Sequence, residues 1–173
     1  YKRQVKNKVR KFVYVSSSMV YGNFHDTYFD GIDEDHICNP IGQYGIMKLT
    51  GEWLVKDYAR RSNIAYTILR PSAVYGPLDV EDRVVSKFIL SAMRGETINV
   101  NGSKESLDFT FVDDTAEGIA NASISDNTDN MTYNLTRGSA RTLLEAAELA
   151  VKIVGSGKIQ INERDNNFPS RGQ

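Results

Sequence analysis

The stretch KFVYVSSS (residues 11–18) decides the fold, because its apolar, β-branched and aromatic residues end in small hydroxyl residues, as a buried strand would. IAYTILRPS (residues 64–72) repeats this design, with Pro71 as its stop. Between them, residues 44–62 place Met47, Trp53, Leu54 and Tyr58 near helical spacing, with charged residues mostly on another side. A strand, a crossover helix and a second strand predict parallel pairing with a right-handed connection, and hence part of an α/β layered sheet.

The rest of the chain predicts shorter and more mixed elements, each with its own start or stop signal. They are a helix near 82–94 closed by Gly95, a strand over 97–100 before the Asn101-Gly102 turn, a strand over 107–112, a helix over 114–124 capped by Asp113 or Asp114, a strand over 131–135, a helix from Thr142 to Gly155, and a strand over 158–162.

Composition describes an ordinary globular protein of 173 residues, with 40% hydrophobic residues, 25% charged residues and a net charge of -1. This balance favours neither nucleic acid nor any other polyelectrolyte as a partner, and the locally basic residues 1–11 are interpreted as a solvated helix end. Cys38 is the single cysteine, so no disulfide is expected, and no apolar run predicts a membrane span. We therefore expect a cytoplasmic protein.

His25, His36 and Cys38 precede the predicted helix, and DEDH (residues 33–36) adds carboxylates. Their spacing matches no zinc pattern, so polar loop positions are the simpler interpretation and no metal site is expected.

Tyr44 and Lys48 stand four residues apart in YGIMK, so a helix would place both on one face. A phenol is nearly all protonated at neutral pH, but an ammonium on the same face would stabilise the phenolate and allow proton exchange. The hydroxyls of Ser16, Ser17 and Ser18 end the first strand, where open α/β sheets bind their ligands. By itself the pair also fits a helix face on which Tyr44 packs and Lys48 is solvated.

Four segments in order carry a family resemblance: VYVSSSMVYG (13–22), YGIMK (44–48), LRPSAVYGP (69–77) and DFTFVDDTAEGI (108–119). Together they resemble the extended short-chain dehydrogenases/reductases, in the nucleotide-sugar epimerase and dehydratase branch. The resemblance implies a partial Rossmann-like parallel sheet with a small α+β substrate lobe. It assigns residues 1–75 and 108–125 to the C-terminal part of the NAD-binding domain, and residues 76–107 and 126–173 to the lobe.

The same resemblance implies the site. Ser17 would hold the sugar hydroxyl, Tyr44 would be the acid/base, and Lys48 would support Tyr44 and hold the nicotinamide ribose of NAD. The remaining cofactor contacts would come from Ser16, Pro71, Ser72 and Val74, and the contacts to a nucleotide diphosphate sugar from Ser18, Met19, Val85, Asn99 and Arg171. Family members commonly form homodimers through helices that flank the sheet, one of which corresponds to residues 42–61.

The sequence also departs from the family. It contains no Gly-x-x-Gly-x-x-Gly turn to meet the pyrophosphate of a dinucleotide, so we expect a fragment that lacks the glycine-rich half and is inactive by itself. Leu107 stands where the family often has an arginine.

The two residues after Ser17 narrow the choice among the reactions of this family. Members that eliminate water, that decarboxylate or that epimerise a carbon next to a ketone carry acid or base groups at these positions. Ser18 and Met19 occupy those places, and Met19 can act neither as an acid nor as a base. We therefore expect a 4-epimerase that removes a hydride and returns it to the other face. A reductase or dehydrogenase of a keto-sugar fits the same residues, and a non-catalytic module that senses dinucleotide is a third possibility.

Overall fold

The computed structural model describes residues 9–22, 31–80 and 82–163. The strands are β1 (Lys11–Val15), β2 (Ala65–Pro71), β3 (Val74–Tyr75), β4 (Thr97–Asn101), β5 (Ser106–Leu107), β6 (Thr110–Phe111), β7 (Met131–Leu135), β8 (Arg141–Thr142) and β9 (Lys158–Asn162). The helices are α1 (Gln43–Ser62), α2 (Val84–Met93), α3 (Val112–Ile124) and α4 (Leu143–Val154), with short 3-10 turns at Ser18–Val20 and Asp126–Thr128.

A three-stranded parallel sheet in the order β1-β2-β7 is the centre of the fold. Val13 pairs with Thr67, and Thr67 pairs with Met131, so β2 lies between the other two strands. Ile68 and Leu69 of β2 are almost completely buried, as expected for a strand covered on both faces. The predicted parallel α/β sheet is confirmed, although β1 ends at Val15 and leaves Ser16 to Ser18 beyond the strand.

Helix α1 packs on this sheet, but with a different face from the predicted one. Its buried residues are Gly45, Leu49, Glu52, Val55 and Ala59. Met47, Trp53 and Leu54, which the apolar spacing assigned to the core, are exposed. The prediction was wrong because the buried face combines the apolar Leu49 and Val55 with two small residues and a carboxylate. The larger apolar residues of the pattern lie on the exposed side of the helix.

The second lobe packs α2 and α4 against the parallel pair of β4 and β9. Its buried core consists of Phe88, Ala92, Ile98, Val100, Ala147 and Ala150. The predicted start of α4 is confirmed: the Thr142 hydroxyl accepts from the Glu145 amide, and the Glu145 carboxylate accepts from the Thr142 amide. Gly155 ends the helix in the left-handed conformation, also as predicted.

Two predicted boundaries differ from the structure. Residues 107–112 form two short strands, and α3 begins at Val112 with Phe111 as its N-cap; Asp113 and Asp114 lie in the first turn, where their charges suit the helix dipole. In addition, β7 pairs with β2, so residues 131–135 belong to the central sheet and not to the lobe expected from residue 126 onward.

Lys11 ties the start of β1 to the end of α3. Its side chain is only 4% exposed, and its Nζ donates to the carbonyls of Ala122 (3.0 Å) and Ser125 (2.6 Å) and pairs with Asp129 at 2.7 Å. The buried ammonium therefore satisfies helix-terminal carbonyls that have no helical partner. Within the described ranges, no helix has the length and apolar character needed to cross a membrane.

Replacing Lys11 with Met should lower the free energy of unfolding of the full-length protein by about 2 kcal/mol, because charge-assisted hydrogen bonds are lost while the apolar stem is kept. Urea denaturation measures this change. The exposed Lys87→Met is the control and should change the stability by less than about 0.5 kcal/mol. Equal effects of the two substitutions would contradict the assigned role.

Candidate active site

Tyr44 and Lys48 lie on consecutive turns at the start of α1, above the carboxyl end of β1. Tyr44 is 56% exposed, and the Lys48 Nζ lies 5.6 Å from the centre of its ring. The same Nζ is 5.6 Å from the ring centre of Tyr14 and donates to the carbonyl of Val15 at 2.9 Å. Lys48 therefore places a positive charge beside the phenol while it fixes the helix to the last residue of β1.

Ser17 is the second residue beyond β1 and caps the 3-10 turn at Ser18–Val20. Its Oγ accepts a hydrogen bond from the Met19 amide at 3.2 Å. Among the residues that the structure describes, no acceptor is bonded to the Ser17 O–H. The cap therefore orients the side chain of Ser17, which is 8% exposed, and leaves its O–H able to donate to a further acceptor.

A close contact with Gly45 joins the Ser17 turn to the start of α1. A Cβ at Gly45 would lie 2.5 Å from the carbonyl oxygen of Met19 and 2.9 Å from the Cβ of Pro40. Only glycine allows this approach, which holds Tyr44 next to the turn that Ser17 caps.

Gly45→Ala should destabilise the full-length protein by about 1–3 kcal/mol, because backbone atoms must move to admit the methyl group. Gly118→Ala is a matched helical control, since its Cβ would meet the end of the flexible Leu135 side chain, which can move aside. The control should be neutral or slightly stabilising, given the better helix propensity of alanine. Thermal unfolding of both variants tests this, and a stable Gly45→Ala would refute the tight contact.

A buried polar cluster lies directly beneath this surface. Ser16, 2% exposed, donates its hydroxyl to Glu52 Oε1 at 2.5 Å. Arg70 donates to both oxygens of the same carboxylate, from Nε at 3.0 Å and from Nη2 at 2.7 Å. The Ser16 hydroxyl therefore faces the core, so any contact that Ser16 makes with a cofactor would come from its backbone.

The cluster continues to the end of β7. Arg70 Nη1 donates to the Tyr21 hydroxyl at 2.7 Å, which donates in turn to Asn134 Oδ1 at 2.7 Å. Burial works against the charge of Arg70, but its hydrogen bonds to Glu52 and Tyr21 outweigh this and raise the pKa of the guanidinium above its ordinary value. Burial raises the pKa of Tyr21, and the nearby Arg70 offsets part of this effect. Both groups therefore keep one protonation state at neutral pH.

A cavity of about 830 Å³ opens where the carboxyl ends of the three sheet strands meet the lobe. Its volume lies within the range of small-molecule sites. Six hydroxyl side chains are among the residues that line it: Ser18, Ser72, Ser106, Thr136, Ser139 and Thr142. Such a lining offers donors and acceptors to a polar, hydroxylated ligand.

Two of the carboxylates in this cavity already have structural roles. Asp108 accepts from the amides of Arg137 (3.2 Å) and Gly138 (2.9 Å). Glu145 accepts from the amide and hydroxyl of Thr142, and these hydrogen bonds hold its pKa below the ordinary value. Neither carboxylate is placed as a free acid or base.

The structure brings only some of the predicted site residues together. Ser18 and Ser72 line the cavity, whereas Ser17, Tyr44 and Lys48 are not among its described lining residues. Ser17 precedes Ser18 in the chain, and the helix that carries Tyr44 and Lys48 packs against the Ser18–Val20 turn. Met19 contributes its backbone to the contacts with Ser17 and Gly45.

The loop after β2 carries the predicted cofactor contacts. Pro71 ends β2, and Val74 pairs with Thr110. Between them, Ala73 has a φ of 36°, an unusual value for a residue with a Cβ. The kink separates the buried Ser72 from β3.

The other predicted substrate contacts are further away. Val85 is half-buried in the first turn of α2, and Asn99 is exposed on β4, where its side chain accepts from Asn162 at 3.3 Å. Neither is among the described residues that line the cavity. Arg171 and His25 lie outside the described residues.

Sequence reasoning missed several residues of this region. Lys104 is the cation among the described residues that line the cavity, and Glu52 and Arg70 form the buried ion pair. Glu52 could have been found, because it continues the four-residue spacing of Tyr44 and Lys48. Within the described part of the chain, no group of three or more His, Cys, Asp or Glu side chains is arranged to hold a metal ion.

The parallel sheet, the crossover helix and a site at the carboxyl ends of the strands define a Rossmann-type α/β protein. Residues 2–136 match the model of the NAD dependent epimerase/dehydratase family, and the chain belongs to that family of enzymes.

Named relatives and solved structures agree with this family. The chain is 31% identical over 173 residues to UDP-glucuronic acid decarboxylase 4 of Arabidopsis thaliana, covering 93% of this chain and 37% of the relative. It is 28% identical over 150 residues to an uncharacterised UDP-glucose epimerase of Bacillus subtilis, covering 86% and 46%. The UDP-glucose 4-epimerase of Thermotoga maritima, solved with UDP-glucose, superposes with a TM-score of 0.87 at 27% identity, covering 99% and 56%. The chain thus spans about half the length of these proteins, or less.

The residues present fit the nicotinamide-ribose end of NAD, the cofactor in the family's description. An ammonium has three N–H donors, and Lys48 gives one to Val15, so two can meet vicinal ribose hydroxyls. Tyr44 is exposed on the same face of the helix. Lys48 would hold the ribose, and the cofactor when bound would supply a hydride acceptor and donor.

Proposed function

We propose that the full-length protein is an NAD-dependent nucleotide-sugar epimerase that inverts C4 of the sugar. The observation that carries this proposal is the contact of Lys48 with Tyr44 on the helix that packs against the turn capped by Ser17, together with the absence of a carboxylate directly after Ser17. The named 4-epimerases among the similar structures support it.

In this proposal Ser17 donates its free O–H to the sugar oxygen and orients it. Tyr44, as phenolate, takes the proton of that hydroxyl while the C–H bond at the same carbon breaks. Lys48 stabilises the negative charge of the phenolate. After the keto-sugar turns over, Tyr44 returns the proton as the C–H bond forms on the other face, so no net oxidation occurs.

The cavity supports a nucleotide sugar as the substrate. Its hydroxyl-rich lining suits a sugar, and Lys104 supplies a positive charge for a diphosphate. Asp108 and Glu145 are held in structural hydrogen bonds, so the cavity offers neither of them as the extra acid or base that elimination of water would need.

A keto-sugar reductase or dehydrogenase uses the same proton donor and remains the second candidate. The two activities differ in their net redox change, since an epimerase regenerates its NAD whereas a reductase consumes NADH. Loss of NADH absorbance in step with product formation would select the reductase.

Tyr44→Phe should lower kcat for nucleotide-sugar epimerisation by a factor of roughly 10² or more, because the ring remains but the proton carrier is lost. The assay follows conversion of UDP-glucose to its C4 epimer by the full-length protein with NAD. Tyr66→Phe removes a phenol at the amino end of β2, far from the site along the strand, and should keep normal turnover. Normal turnover in Tyr44→Phe would overturn the proposed chemistry.

We also propose that the protein forms a homodimer through the outer face of α1. Ile46, Met47, Trp53 and Leu54 are all at least half exposed on this helix, with Trp53 at 63%. A helix can pack against its own copy about a two-fold axis, which would bury this apolar face on both subunits. Members of the family that the chain resembles commonly form homodimers through the corresponding helix.

Trp53→Asp should convert the dimer to a monomer, because a carboxylate would have to be buried in the interface. Light scattering after size-exclusion chromatography gives the mass of each variant. Leu149→Asp, at a half-exposed position on α4, is the control and should stay dimeric. A monomeric wild type, or a dimeric Trp53→Asp, would contradict this interface.

A further inference from the structure

Two successive turns of α1 bind Val15, the last residue of β1, and Ser16, the residue that follows it. Lys48 donates to the carbonyl of Val15 at 2.9 Å, and Glu52 accepts from the hydroxyl of Ser16 at 2.5 Å. Tyr44, Lys48 and Glu52 are spaced by four residues, so they form one stripe along the helix. The stripe that carries the proposed proton carrier thus also fixes the two residues that precede Ser17.

The turn after Ser17 is fixed by the same helix. Met19 is in contact with Gly45, and the Met19 amide donates to Ser17 Oγ. Helix α1 therefore holds the residues before and after Ser17, although the hydroxyl proton of Ser17 has no acceptor among the described residues.

Glu52 can hold Ser16 in one place because its carboxylate cannot rotate. Both of its oxygens accept from Arg70, and the side chains of Glu52 and Arg70 are 1% and 4% exposed. The planar guanidinium fixes the plane of the carboxylate, which makes the hydrogen bond to Ser16 directional. Stability alone does not explain the buried ion pair, because two apolar side chains of similar volume often stabilise a core equally well.

We propose that Glu52, fixed by Arg70, is a positioning residue that sets Ser17 relative to Tyr44 by holding the hydroxyl of Ser16. The expected effect on kcat rests on the proposed function, whereas the expected effect on the position of the Ser17 turn does not. A shift of Ser17 by a fraction of its hydrogen-bond length would misplace the sugar oxygen relative to the phenol, and small misplacements cost large factors in rate.

Ser16→Ala tests the proposal with little disturbance of the core, because the ion pair stays intact. We expect kcat to fall by about 10-fold or more, with KM for the nucleotide sugar within about twofold of wild type. Ser62→Ala is the matched control. The Ser62 hydroxyl donates to the Tyr58 carbonyl at 2.6 Å, at the far end of the same helix, and loss of this bond should leave kcat unchanged.

A second readout does not depend on activity. Amide hydrogen exchange over residues 16–20 should become faster in Ser16→Ala, while the middle of α1 keeps its protection, since only the turn is released. Ser62→Ala should leave exchange of residues 16–20 unchanged.

The ion pair is tested by the double variant Glu52→Met/Arg70→Met, which replaces it with apolar side chains of similar length. We expect a folded protein with at least as large a fall in kcat and with fast exchange at residues 16–20, since Arg70→Met also removes the hydrogen bond to Tyr21. Adding Ser16→Ala to this background should have no further effect, because the hydrogen bond is already absent. If the double variant does not fold, Ser16→Ala and its exchange profile still decide the matter.

The outcomes separate the two proposals. Suppose that Ser16→Ala shows fast exchange at residues 16–20, while the wild-type protein converts no nucleotide sugar. This result would support the positioning role and refute the proposed function. Wild-type activity with unchanged kcat and unchanged exchange in Ser16→Ala would overturn the positioning role alone. A fall in kcat equal to that of Ser62→Ala would also overturn it.

Discussion

The ion pair between Glu52 and Arg70 joins the helix, the sheet and the site of this protein. It connects the middle of α1 to the carboxyl end of β2, and through Ser16 it reaches the end of β1. Through the Tyr21 hydroxyl it reaches Asn134 at the end of β7. All three strands of the central sheet are thereby connected at the edge where ligands of such sheets bind. A buried charge is costly unless every oxygen and N–H has a partner, so this cluster specifies one relative placement of these elements.

This placement divides the site into two kinds of surface. Beside β1, Tyr44 is exposed and Lys48 faces its ring, so a ligand can approach the phenol from outside. Beneath the lobe, the cavity is lined by hydroxyls and by carboxylates held in backbone hydrogen bonds, which suits recognition more than chemistry. Ser17 and Ser18 stand between the two surfaces, and their adjacency in sequence explains why one short turn can serve both.

Local signals predicted the elements of the fold well, because strand composition, the Thr142 cap and the terminal Gly155 act over a few residues. The buried face of α1 was mispredicted, since Glu52 reads as a surface residue until its partner Arg70 is known. The place of β7 could not be predicted either, because a five-residue strand carries no record of its neighbour. The site residues of the Tyr44 helix came from spacing and family resemblance, whereas the cavity is assembled from loops far apart in sequence and had no local signature.

The position of β1 at one margin of the central sheet has a consequence for handling the protein. Among the described residues its outer side pairs with no strand, and its sequence KFVYV is short, apolar and rich in β-forming residues. Such a margin can recruit the backbone of another molecule and nucleate amyloid-like stacks. A polypeptide that contains only these residues should therefore be kept dilute, and dye-binding assays for fibrils would show whether it aggregates.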